Sequence, residues 1–181
     1  MRASIFLSYP KPCYGLQEKF IEHLNEFLKN RGFVPRTLGV TDYDMDTPLT
    51  AIRRLMLECN GILTIAFRRT FIQEGTGKYR TDLDGMKEIT LVDKWLTSPW
   101  AQIEAAMAFQ IGLPVLILRE TEVMEEGILE KGILGLYMPD FDLGKSIEDY
   151  FKSMEWNDMI GRWEGHVRKV VENKGNPPKL Y

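Results

Sequence analysis

The chain is predicted to fold as an α/β protein built on a doubly wound parallel sheet, and three observations predict it. Short apolar runs alternate with stretches of helical spacing along the chain. Two of those runs, residues 62–67 (ILTIAF) and 113–118 (LPVLIL), are apolar on both faces, as strands covered on both sides must be. A third, residues 33–38, contains Pro35, which cannot donate to a ladder and so marks a sheet edge.

Residues 4–8 (SIFLS) read as the first strand. Leu16, Phe20, Leu24, Phe27 and Leu28 then recur at helical spacing, with Glu18, Glu22, Asn25 and Lys29 on other faces, and Gly32 ends that helix. After the second strand comes turn chemistry, TDYDMDTP at 41–48. A helix striped by Leu49, Ile52, Leu55, Met56 and Cys59 follows and stops at Asn60-Gly61. Residues 62–67 are the third strand, 113–118 the fourth, and 136–141 a short fifth. Right-handed crossovers and the edge position of strand two give the flavodoxin-like order 2-1-3-4-5.

Residues 69–99 separate strand three from the next helix, long enough for a lid, a binding loop or an insertion with its own helix. Met86, Ile89, Leu91, Val92 and Trp95 would stripe such a helix. The α/β domain is expected to span residues 1–144, and a C-terminal helical extension 145–181. In that extension Trp156, Ile160, Trp163, Val167 and Val170 follow a 4-3-4-3 spacing, suited to docking on the domain or, second, to a dimer seam.

Composition narrows the function classes. A formal net charge of −3, 44% hydrophobic and 27% charged residues describe an ordinary globular domain, with no basic run to attract nucleic acid. The longest apolar stretches are too short to cross a membrane, and the opening residues read as a core strand rather than a signal segment. Two cysteines, Cys13 and Cys59, and two histidines make neither a disulfide framework nor a zinc set, so a reducing cytoplasm, no metal and no resident cofactor are expected.

Ligands of open α/β sheets bind beyond the carboxyl ends of the strands, at the switch point, here between strands one and three. Three segments converge there. Ser8, Tyr9 and Pro10 follow strand one and suit contacts to a base or ribose, with simple backbone capping as the alternative for Ser8. Arg68 and Arg69 follow strand three, where forked hydrogen bonds would hold a pyrophosphate, though arginines at strand ends are commonly just exposed. Trp100 and Glu104 open the next helix: Trp100 suits stacking on a base, or packing at the helix entry. Glu104 is the foremost candidate for chemistry, and the helix N-terminus is expected to keep it ionised. Asp42, Asp44 and Asp46 lack the glycine and terminal glutamate of a calcium loop and read as a turn. His23 and His166 read as bystanders on helix surfaces.

IFLSYP at 5–10 resembles the first strand and loop of TIR domains, and Trp100-x-x-x-Glu104 resembles the Trp-x-x-x-Glu of NAD-cleaving TIR domains, whose glutamate is catalytic. The resemblance covers about residues 3–143. It implies a TIR-like NAD glycohydrolase or cyclase with Glu104 as the catalytic group and NAD as substrate. It further implies a homo-oligomer, and an ADP-ribose-derived signal read by a separate effector in antiphage defence. Two departures stand out: the 69–99 insertion is longer than usual, and the loop after strand two lacks the Pro-Gly form. The pattern Glu104-x3-Ala108-x3-Gly112-x-Pro114-Val115 also resembles nucleoside 2-deoxyribosyltransferases, whose glutamate attacks an N-glycosidic carbon. A non-catalytic nucleotide-binding or self-association module is the rival reading.

Overall fold

The computed structural model describes residues 2–134 and 140–173. Four parallel strands form the central sheet: β1 (Ala3–Ser8), β2 (Phe33–Arg36), β3 (Gly61–Ala66) and β6 (Val115–Arg119), in the order β2-β1-β3-β6. All six residues of β3 are buried, as its two-sided apolar sequence requires. β2 lies at the edge, with Pro35 level with Ile5. The first four positions of the expected order are therefore present. The expected fifth strand falls largely outside the described residues, but Phe141 at its end bridges Glu120 in parallel, continuing the order past β6.

Alternation along β1 divides its side chains between two layers. Ala3, Ile5 and Leu7 join Phe20, Leu24 and Leu28 of α1 (Gly15–Asn30) and Trp156, Ile160 and Trp163 of α5 (Met154–Glu172) in the larger core. Phe6 and Ile62 point the other way, onto Ile52, Leu55 and Met56 of α2 (Pro48–Glu58) and Ala105 and Ala108 of α3 (Pro99–Gln110). The stripe of α1 keeps Phe20, Leu24 and Leu28 as expected but begins at Gln17, which is buried, rather than at Leu16, which is exposed. Leu49, in the first turn of α2, is likewise exposed.

The short helix α4 (Ile147–Lys152) and α5 are capped in turn by Ser146, whose Oγ accepts from the Asp149 N–H, and by Ser153, whose Oγ accepts from the Trp156 N–H. The five apolar seam residues of α5 are fully buried within this chain. Gly61, where β3 begins, lies under that helix, and a Cβ there would stand 2.7 Å from Val167 Cγ2.

The long insertion is a β-hairpin, β4 (Thr70–Gly77) against β5 (Ile89–Leu96), not a helix. Apolar residues at 86, 89, 92 and 95 mimic a helical stripe, yet Ile89, Thr90 and Val92 are β-branched and favour a pleated chain. The TFIQ run of β4 supplies the partner: Phe71 stands opposite Trp95, their rings 4.9 Å apart. At its root the Arg69 N–H donates to the Leu96 carbonyl at 3.0 Å, so the hairpin springs from the carboxyl end of the sheet.

Cys59, just after α2, is buried, and burial pushes its thiol up to about 12; Cys13 is exposed in the loop after β1. Among the described residues no helix is long and apolar enough to cross a membrane, and no cluster of His, Cys, Asp or Glu is placed to hold a metal.

Candidate active site

Ser98 caps α3, its Oγ accepting from the Trp100 N–H, and Pro99 takes the first helical position, where its missing N–H costs nothing. From there Ala101, Ala105 and Ala108 form the face laid on the sheet. Glu104 stands three residues after Ala101 and four before Ala108, so it shares that face. The small alanines bring α3 close to β3 and leave the carboxylate room to lie along the sheet toward β1. There it meets Ser8, the last residue of β1, whose hydroxyl donates to Glu104 Oε2. Ser8 is 3% exposed and Glu104 half-buried.

Glu104 makes no ion pair among the described residues, so its charge is not neutralised by a cation. Burial raises its pKa, and the Ser8 hydrogen bond acts in the opposite direction. This corrects the expectation that the helix N-terminus governs its charge. Glu104 is the sixth residue of α3, past the first turn in which the dipole is felt.

The other residues singled out from the sequence are dispersed around this pair. Tyr9, next to Ser8 on an extended backbone, turns to the opposite layer and packs against the larger core. Desolvation raises its phenol pKa while Thr37 opposes the shift. With Lys11, Glu18, Glu22 and Val40 it lines a groove of about 680 Å³ between α1 and the loop after β2. Pro10 is buried beside it. The Arg68 guanidinium is held internally: Nε donates to the Thr121 carbonyl at 2.7 Å, Nη2 to Thr121 Oγ1 at 2.9 Å and pairs with Glu122 at 3.1 Å, while the group lies over the Trp95 ring. Arg69 is exposed. Trp100, one turn before Glu104 on the same flank, is 42% exposed and belongs to no core cluster, so it does not staple the helix entry. Asp42 pairs with Arg36, and Asp44 and Asp46 with Arg54, which pins the loop after β2. His23 lies 3.2 Å from Glu148 on the surface.

Two groups escaped the sequence. Glu120, the first residue after β6, is 4% exposed; it accepts from the Arg68 N–H at 2.8 Å and from Gln17 Nε2 at 3.2 Å, and burial raises its pKa despite those bonds. Gln17 also donates to the Arg68 carbonyl at 3.1 Å, tying α1 to the ends of β3 and β6. Spacing held the signal: residues 17, 20, 21 and 24 are one helical face, so a glutamine there had to be buried and bonded. The second is Thr64, in the middle of the strand read as apolar on both faces. It is fully buried, level with Ser8 in the β1–β3 register, and its hydroxyl has no hydrogen-bond partner among the described residues.

No protein-family model and no curated protein matches the chain, so the TIR and deoxyribosyltransferase resemblances rest on the motifs quoted above. Among solved structures it is similar to the Clostridium botulinum CMP N-glycosidase BcmB. The two are 16% identical, the alignment covers 82% of this chain and 94% of that chain, and the TM-score is 0.48.

Proposed function

We propose that this chain breaks the N-glycosidic bond of a nucleoside or nucleotide, with Glu104 as the carboxylate that meets C1′ of the sugar. The observation that carries the reading is the Ser8–Glu104 pair, beside the switch point between β1 and β3, with no cation among the described residues to neutralise it. The two sequence resemblances support it, since both families act on the bond from C1′ of a pentose, ribose in one and deoxyribose in the other, to a base nitrogen.

Cleavage of that bond sends the bonding electron pair out with the base and leaves positive charge on the sugar. A fixed carboxylate beside C1′ stabilises the charge or closes on it as an ester, and water then attacks C1′. Half-burial strengthens the interaction, because fewer water dipoles stand between the two charges. Ser8 orients the carboxylate by holding Oε2, which leaves Oε1 for the sugar.

NAD is the second reading for the substrate, and the observation that favours it is Trp100, exposed one turn from Glu104, a free aromatic face for a base. Its nicotinamide leaves from a cationic ground state, so no proton donor is required. On that reading the product is an ADP-ribose derivative for a separate effector, and a homo-oligomer is the working form.

The test is release of free base from a panel of ribonucleoside and deoxyribonucleoside monophosphates, deoxynucleosides and NAD. Wild type is expected to consume one class, and Glu104→Gln to lower its kcat by about a hundredfold or more. Base exchange without net hydrolysis points to transfer. Binding of a nucleotide with no base released, at high protein concentration, overturns the enzymatic reading in favour of a binding module.

A further inference from the structure

We propose that Thr64 is a positioning residue of the Glu104 site: its hydroxyl is the alternative partner to which the Ser8 hydroxyl turns when Glu104 engages the sugar. This rests on the reading of Glu104 as the reacting carboxylate. Thr64 interrupts a strand that is otherwise apolar, GILTIA, and is 0% exposed. Valine would fill the same space without a polar atom. A buried hydroxyl with no partner among the described residues is costly, so the fold alone gives no reason for it.

Its position supplies the reason. Ser8 and Thr64 are partners in the parallel register, about 4.8 Å apart across the ladder, with side chains on one face of the sheet. That is the face covered by α3, because Phe6 and Ile62, two residues earlier on each strand, pack there against Ala105 and Ala108. With the two residues level on neighbouring strands, rotation about χ1 turns the two hydroxyls toward or away from each other.

Ser8 has one hydroxyl proton, and it is on Glu104 Oε2. A donor there steadies the ionised carboxylate and blunts it as a nucleophile. As Glu104 forms a bond to the sugar, or takes up a proton, its need for that donor falls, and Ser8 must find another acceptor in a closed space. Thr64 Oγ1 is such an acceptor. When Glu104 carries a proton, its O–H donates to Ser8 Oγ and the Ser8 O–H donates to Thr64 Oγ1, so that neither oxygen is stranded. The elements packed against α3 are β3, β6, α2 and the 3-10 turn Gly127–Leu129. They and the turn's flanks bring the ionisable side chains Arg53, Arg54, Glu58, Arg119, Glu126 and Glu130; only Arg119 is buried, and none pairs with Glu104.

The experiment compares wild type with Thr64→Val and Thr64→Ser. On the nucleotide that wild type consumes, Thr64→Val is expected to lower kcat about tenfold with KM unchanged, and Thr64→Ser to return it to within about twofold. In the ligand-free protein, the ¹³C titration of the Glu104 side-chain carboxyl is expected to move down by about half a pH unit or more in Thr64→Val and to recover in Thr64→Ser. Equal kcat and equal titration in wild type and Thr64→Val overturn the proposal, as does a serine variant that behaves like the valine one. Should wild type consume no nucleotide, the enzymatic reading fails by itself. The titration then decides the exchange: a shift restored by serine supports it, and no shift overturns it.

Discussion

Glu104 owes its environment to the alanines around it. A larger residue at 101, 105 or 108 would lift α3 from β3 and return the carboxylate to solvent, where Ser8 could not reach it. Because burial raises its pKa, the native protein keeps the Glu104 proton to a higher pH than the unfolded chain does. Its contribution to stability is therefore complete below the unfolded carboxylate value, about 4.3, and is lost as pH rises through the native value. Glu104→Gln, which never ionises, is expected to melt above wild type at pH 7 and close to it at pH 4, as thermal unfolding at the two values would show. A wild type more stable than the variant at pH 7 would contradict the burial described here. Ser8→Ala is expected to keep the fold and to raise the Glu104 titration further, since it removes the one bond that opposes burial. The carboxylate's place at the sheet's carboxyl end was legible from the motif WAQIEAAMAF and the strand that follows it. Its charge state was not, because that depends on the cap at Ser98, which puts five residues of helix ahead of the carboxylate.

Among elements, the hairpin shows how a period can mislead. Spacing alone fits β5 to a helix, and only the partner strand β4, separated from it by the eleven residues 78–88, decides otherwise. Trp95 anchors the hairpin to the rest of the molecule: it packs on Phe71 and under Arg68, and joins Ala66, Val123 and Leu129 in a small core. Trp95→Ala is expected to cost about 2 kcal/mol, less than a fully buried tryptophan would, and to raise amide exchange across β4 and β5 first. The contact between β3 and α5 is tighter. Gly61→Ala is expected to cost about 1–3 kcal/mol through the clash with Val167. Adding Val167→Ala should recover part of that loss, giving a non-additive double-mutant cycle under urea. The strands and helices of the sheet were readable because each is apolar on the faces the layers cover. The hairpin was not, because both of its faces are largely open to water and carry no burial pattern.

Over the whole molecule, the C-terminal helices are part of the core rather than an appendage. Trp156 and Trp163 are fully buried against the same cluster that holds Ile5, Leu7 and Leu63, and the Trp163 Nε1–H donates to the Pro114 carbonyl at 3.2 Å. Trp163→Ala is expected to cost about 3–5 kcal/mol, and unfolding followed by tryptophan fluorescence and by far-ultraviolet dichroism should give coincident curves. The two cysteines lie at opposite extremes of reactivity. Cys59 is sealed beneath α2 with a thiol that does not ionise near neutrality, whereas Cys13 is open to solvent, with its N–H on the same Gln17 that bonds Glu120. A maleimide dye added to the unaltered native protein will therefore attach at a single place, on the loop beyond β1, and a change in its emission on adding nucleotide would test whether one binds beside it.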